Sequence, residues 1–212
     1  NLPYVWLDFY EVDFDYVRER LALPLSDERL AESVKTLRQF NPKVNYREVD
    51  YTPEYIFTKA TENWKCHFEL GEVISAFFEN MKLTPYIYPD SLPALERLKA
   101  MGTTLCTLTD VATGMPDELH KSYFPELLPY FDMYVSSVSC GMRKPNPKGL
   151  EDIAERFGIG AEDMLFVGDE EKDILTAKRF GCRSVLIDRK DRSVDFGQNF
   201  TVKNLNGIEN ML

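Results

Sequence analysis

The sequence predicts an α/β protein: a mostly parallel sheet with helices on both faces, preceded by an all-helical segment. Two observations carry this. Through residues 1–88 apolar side chains recur at three- and four-residue spacing, the period of one helix face. Beyond them, short β-prone runs alternate with amphipathic stretches of about ten residues, several of them closed by glycine, which is the pattern of βαβ units. The division that follows is a helical cap at residues 1–88 and an α/β core at residues 89–212.

In the helical part, Trp6, Phe9, Tyr10, Asp13, Phe14, Val17 and Leu21 share one face, and Pro24 ends the segment. Ser26 is placed to cap a second helix, with Asp27 and Glu28 in its first turn and Leu30, Val34 and Leu37 as its buried stripe. Asn41-Pro42 breaks it. Thr52-Pro53-Glu54 reads as a cap followed by proline at the first helical position, ahead of Ile56, Phe57, Ala60 and Trp64. A fourth helix is expected from Glu72 to Met81.

In the second part, Ser91 to Met101 is helical and Gly102 takes the C-terminal cap position. Strands are expected at 103–108, 134–138, 164–167 and 184–187. Helices at 150–157 and 172–180 end at Gly158 and Gly181.

Composition excludes several functions. With 35 acidic and 25 basic residues the formal charge is −10, which argues against a nucleic-acid partner, since phosphate backbones want clustered Lys and Arg. It leaves room for a small phosphorylated substrate, which one lysine can serve. No apolar run approaches the roughly 20 residues of a membrane span. The first residues, Asn1-Leu2-Pro3-Tyr4, show no basic segment or cleavage site of a secretory signal. Cys66, Cys106, Cys140 and Cys182 stand far apart, without CxxC spacing, so reduced thiols and a cytoplasmic location are expected. Oligomeric state is left open.

In a doubly wound sheet ligands sit beyond the carboxyl ends of the strands, so polar residues there are the candidates. The run Leu105 to Asp110 delivers the Thr109 hydroxyl and the Asp110 carboxylate, either to a substrate oxygen or to cap a turn. Gly141-Met142-Arg143-Lys144-Pro145-Asn146-Pro147 aims Lys144 from a proline-stiffened loop; it is a point charge for a phosphate or a solvated lysine. Phe166-Val167-Gly168-Asp169 ends an apolar strand in a carboxylate, with Asp173 four residues on. Asp169 suits an oxygen ligand for Mg²⁺, and Asp173 a second ligand or an orienting group; both could instead be acids at a helix N-terminus. Asp188-Arg189-Lys190-Asp191-Arg192 reads as a solvated turn, and His67 and His120 as structural.

The order of these three strings resembles the second, third and fourth motifs of the haloacid dehalogenase superfamily, over residues from about 85 to 190, with the helical segment in the place of its cap. The resemblance implies a Rossmann-like three-layer core. It also implies that Thr109 and Lys144 hold a transferring phosphoryl group, that Asp169 binds Mg²⁺, and that Asp173 supports it. The expected activity is Mg²⁺-dependent hydrolysis of a small phosphorylated metabolite through an aspartyl-phosphate. Metal-independent dehalogenation of a 2-haloacid is the alternative enzyme. A catalytically silent relative that binds a phosphorylated ligand or a protein is the alternative from another class.

The superfamily's first motif, a strand ending in Asp-x-Asp-x-Thr that supplies the nucleophile, is not found. The nearest string, Leu7-Asp8-Phe9-Tyr10-Glu11-Val12, has helical period and Tyr10 where the second Asp belongs. In that family the first-motif strand lies between the strands that bear Thr109 and Asp169. Without it backbone groups go unpaired in the core, at about 1–3 kcal/mol each. The expectation is therefore roughly 15–20 further N-terminal residues, one strand and its loop.

Overall fold

A computed structural model describes residues 5–81 and 84–212, with side chains from Phe9 onward. Two compact units emerge. The helical unit contains residues up to Arg47, Tyr51–Thr84 and Val111–His120; the α/β unit contains Glu48–Asp50, Pro85–Asp110 and Lys121–Leu212. Both parts of the sequence thus lend a segment to the other unit, which a single cut at 88/89 does not anticipate.

In the helical unit, α1 (Val5–Arg20), α2 (Asp27–Gln39), α3 (Pro53–Ala60) and α4 (Leu70–Asn80) follow the expected stripes. Phe14, Val17, Leu37, Ile56, Phe57, Val73 and Phe77 are wholly buried. The Phe77 ring meets Phe14 and Phe57 at centroid distances of 5.0 and 5.1 Å, edge-on contacts that add to burial. The Thr52 hydroxyl caps α3 by accepting from the Tyr55 amide at 3.2 Å, whereas Ser26 occupies its cap position without such a bond. Phe9, placed on the apolar face by its spacing, is exposed instead. The Trp6 and Asp8 side chains lie outside the described residues. The backbone of 7–12 is helical, as its period requires.

In the α/β unit, β1 (Cys106–Thr109) and β2 (Met133–Ser136) pair in parallel, with Thr109 opposite Ser136. The strands β3 (Leu165–Gly168), β4 (Arg183–Ile187) and β5 (Phe200–Val202) form a second parallel sheet in that order. Helices α7 (Lys148–Phe157) and α8 (Glu171–Phe180) cover one face of both sheets: Leu150, Ile153 and Ala177 share a core with Leu108 of β1 and Phe166 of β3. Helix α5 (Ser91–Ala100) covers the other face through Ala94 and Leu98 against Val185 and Val167. The result is three layers, an α/β fold with parallel strands, as expected.

No strand pairing joins the two sheets among the described residues. Among the described residues β1 pairs only with β2, and β3 only with β4, so each keeps one edge with no partner strand. Both strands are half-buried along their whole length, while the middle of β4 is fully buried. Central strands of a parallel sheet are normally buried on both faces. The unpaired edges are therefore the sheet's main departure from that rule.

Gly158 and Gly181 end α7 and α8 with φ of 64° and 96°, a left-handed turn that glycine adopts without a Cβ clash. Strands β1 and β3 begin and end one to three residues later than the apolar runs indicate, which brings Thr109 and Gly168 into them, while β2 and β4 begin one residue earlier. Strand β5 and helix α6 (Asp117–Ser122) were not anticipated. The run 188–192 is a turn with Lys190, Asp191 and Arg192 exposed, as expected, but its first two residues are tied down: Asp188 is 3% exposed and accepts from Arg192 and the Ser193 amide, and Arg189 grips Asp90 with two bonds of 2.8 and 3.0 Å. No described helix is long and apolar enough to cross a membrane.

Candidate active site

The carboxyl ends of β1 and β3 are joined by one chain of hydrogen bonds. Asp110, just past β1, accepts from the Lys144 amide at 3.0 Å through one oxygen and pairs with Lys172 Nζ at 3.0 Å through the other. Lys144 Nζ donates to Asp173 Oδ1 at 2.6 Å, and both side chains are nearly buried. The second Asp173 oxygen accepts from the amides of Asp169 and Glu170 at 3.0 and 2.9 Å, the capping box of α8. Three segments distant in sequence thus form one polar assembly.

The sequence before each group explains its placement. Cys106 and Leu108 of β1 face α7, and Leu108 packs where a Cβ on Gly149 would collide with it. Thr109 follows at the strand end. Gly168 ends β3 because a side chain there would overlap the carboxylate of Asp173. The chain must pass this close for Asp173 to reach back to the Asp169 amide. The Lys144–Pro145 bond is cis.

These contacts sort the expected site residues by what remains available. Asp110, expected to touch substrate, has each oxygen engaged by a protein cation or amide, Lys172 and the Lys144 N–H. Asp173 was offered as a metal ligand or an orienting group, and both of its oxygens are likewise taken by protein donors, which favours orientation. The Asp169 carboxylate, by contrast, makes no hydrogen bond or ion pair to another residue among the described ones, and the residue as a whole is exposed although its carboxyl is partly covered. Partial burial and the neighbouring carboxylates of Asp173 and Glu170 hold its proton more tightly than usual, against the opposing charge of Lys144. The Thr109 hydroxyl is also unengaged among the described residues, while its carbonyl accepts from the Ser137 amide at 2.8 Å.

A divalent cation fits this donor set. Among the described residues no group of three or more His, Cys, Asp or Glu is placed to hold a metal by protein ligands alone. Mg²⁺ commonly takes only one or two carboxylates and completes its shell with water and substrate phosphate. The Asp169 carboxylate, with the carboxylates of Asp173 and Glu170 near it, meets that need. A cleft of about 380 Å³ opens beside it, lined by Tyr88, Gly168, Asp169, Arg189, Lys190 and Arg192, within the range of small-ligand sites.

Other nucleophiles are poor. Burial pushes the thiols of Cys106, Cys140 and Cys182 up, which keeps them protonated. Tyr10, which stands in the string nearest the first motif, is buried in the helical unit, where its hydroxyl accepts from Asn41 Nδ2 at 3.2 Å.

Two cations escaped sequence reasoning. Lys172 neutralises Asp110, and Arg143 pairs with Asp50 across 93 residues of chain. Only the proximity of Lys172 to the Gly168-Asp169 string could have flagged the first; nothing local marks the second.

A family model described as haloacid dehalogenase-like hydrolase matches residues 14–181. Among curated proteins, the phosphoglycolate phosphatase of Neisseria gonorrhoeae is 38% identical over 98 residues, 46% of this chain and 41% of that protein. The phosphoglycolate phosphatase of Escherichia coli K12 is 34% identical over 100 residues, 47% of this chain and 39% of that protein. The matched stretch therefore spans about two-fifths of these relatives' length. Among solved structures, a HAD phosphatase from Thermococcus onnurineus superposes with a TM-score of 0.61 at 19% identity, covering 99% of this chain and 90% of that one. A 2-haloacid dehalogenase from Pseudomonas syringae pv. Tomato gives 0.60 at 18% identity, covering 93% and 88%. At such identities the likeness is one of fold.

Proposed function

The chain belongs to the haloacid dehalogenase-like hydrolase family, and from that premise we propose that it is a Mg²⁺-dependent phosphomonoesterase acting on a small phosphorylated metabolite. The observation that supports this most directly is the bonded assembly at the ends of β1 and β3. It leaves one carboxylate (Asp169) and one hydroxyl (Thr109) free beside one nearly buried ammonium (Lys144).

In this reading the Thr109 hydroxyl donates to a phosphoryl oxygen, and Lys144, aimed by Asp173, neutralises charge that builds on the equatorial oxygens. Asp169 holds Mg²⁺, which when bound supplies further charge neutralisation at those oxygens. Asp110 and Lys172 keep the Lys144 backbone in register. The nucleophile is a carboxylate on a β-strand, outside the described residues, that pairs along the open edges of β1 and β3. Its oxygen forms a bond to phosphorus as the ester oxygen departs, and water then cleaves the aspartyl-phosphate.

Phosphoglycolate is the substrate to test first, since the curated relatives are phosphoglycolate phosphatases and the cleft beside Asp169 suits a ligand of that size. The experiment is phosphate release by the full-length protein from phosphoglycolate and p-nitrophenyl phosphate, with Mg²⁺ and with EDTA. Loss of activity in EDTA, restored by Mg²⁺, is expected. Halide release from a 2-chloroacid that persists in EDTA supports the dehalogenase instead.

A further inference from the structure

Residues Glu48–Asp50 belong to the α/β unit although both sequence neighbours, Arg47 and Tyr51, belong to the helical one. Their place is beside the loop that carries Lys144. Val49 and Met142 form an antiparallel bridge. The Arg143 amide donates to the Glu48 carbonyl at 2.7 Å, and the Asp50 amide to the Gly141 carbonyl at 2.8 Å.

Side chains reinforce the bridge. Arg143 Nη1 meets Asp50 Oδ2 at 2.6 Å, with the two side chains 8% and 2% exposed. Arg143 also lies 3.4 Å from the Ser137 hydroxyl, just beyond β2. From α8, Arg179 Nη1 donates to both oxygens of Glu48 at 2.8 and 2.9 Å, and reaches the Pro145 carbonyl at 3.4 Å. The backbone on both sides of Lys144 is therefore fixed from outside the loop.

We propose that the buried Asp50–Arg143 ion pair is a positioning device for Lys144, holding the 141–145 backbone so that the ammonium reaches the phosphoryl site. A buried ion pair is a poor source of net stability, because desolvating both charges offsets their attraction. It does fix geometry: the pair immediately precedes Lys144, and a displacement of about 1 Å at a reacting centre can cost on the order of 100-fold in rate. The inference rests on the reading of Lys144 as the phosphoryl-binding cation.

The test is a double-variant cycle in the full-length protein, read as inorganic phosphate affinity by calorimetry and as kcat and KM on p-nitrophenyl phosphate. Asp50→Asn is measured with Lys144 present and in a Lys144→Met background. The expected result is at least tenfold weaker phosphate binding and lower kcat from Asp50→Asn when Lys144 is present, and less than a twofold change in phosphate binding once Lys144 is gone. Equal losses in both backgrounds, or no loss in either while Lys144→Met alone is impaired, overturn the positioning role and leave the phosphatase reading standing. Unchanged binding and turnover in Lys144→Met overturn the reading itself, and the inference with it. Should Asp50→Asn fail to fold, Arg143→Lys, which keeps the charge and drops the guanidinium fork, goes through the same cycle with the same outcomes.

Discussion

Four residues separate Asp169 from Asp173, and the difference between them lies in their partners. Asp173 is 2% exposed, with both oxygens held by Lys144 and two backbone amides; Asp169 is exposed with its carboxylate unpaired among the described residues. Asp169→Asn therefore removes a ligand without breaking a contact. Turnover should fall more than 100-fold while stability changes by no more than about 0.5 kcal/mol, as for a surface substitution. Activity within tenfold of wild type contradicts the metal-binding role. In Asp173→Asn the new amide must turn its NH₂ toward Lys144 or toward the capping amides, so fold and activity suffer together. Removing one partner of a buried pair costs about 3 kcal/mol, which thermal melts will register as a clear drop. A melt matching wild type counts against the tethering described here.

At the scale of elements, α1 carries an unusual burden. Asp13 is wholly buried, with one oxygen accepting from Asn80 Nδ2 at 2.9 Å and the other without a partner among the described residues. Burial pushes its carboxyl up to about 6 from 3.8, against the opposing bond from Asn80. Because the folded value lies above the unfolded one, the fold favours the protonated acid. That stabilisation is complete below about pH 4 and is lost as pH rises through 6, to a total of about 3 kcal/mol. Asp13→Asn should consequently raise stability at pH 7.5 by about 1–3 kcal/mol and give no gain at pH 4; a gain independent of pH contradicts the assignment. Strands β1 and β3 offer a second check. If a nucleophile-bearing strand pairs along their open edges, hydrogen exchange on the full-length protein will show slow amides on both sides of each strand. Fast exchange on the unpaired side contradicts the proposal.

Elements with local signatures were legible in the sequence. The stripe Ile56-Phe57-Ala60, the cap at Thr52 and the glycines at 158 and 181 each follow from spacing or backbone freedom within a few residues. The order of Thr109, Lys144 and Asp169 along the chain likewise marked the segments whose strand and loop ends the structure brings together. What escaped is what depends on distant pairing. Nothing near Asp110 in the sequence shows that Lys172 and the Lys144 amide engage its two oxygens. Asp50 is an ordinary acid until Arg143 meets it across the fold. Arg189 and Asp188 mimic a charged surface turn, because sequence shows the charges and not their partners. Strand β5 spans three residues and carries too few side chains to display a period.

For the molecule as a whole, a formal charge of −10 means that any anionic substrate approaches against a repulsive field, and the few cations near Asp169 must compensate locally. In the proposed function, the open edges of β1 and β3 and the Asp169 carboxylate are where a strand, a metal ion and a phosphoryl group would converge. The most direct test of this account is inorganic phosphate release from phosphoglycolate by the full-length protein, followed as Mg²⁺ is removed and returned and repeated with Asp169→Asn. The account predicts turnover that vanishes with chelation, recovers with Mg²⁺ and is lost in the variant. Phosphate release indifferent to both metal and Asp169, or none from any phosphomonoester with Mg²⁺ present, contradicts it.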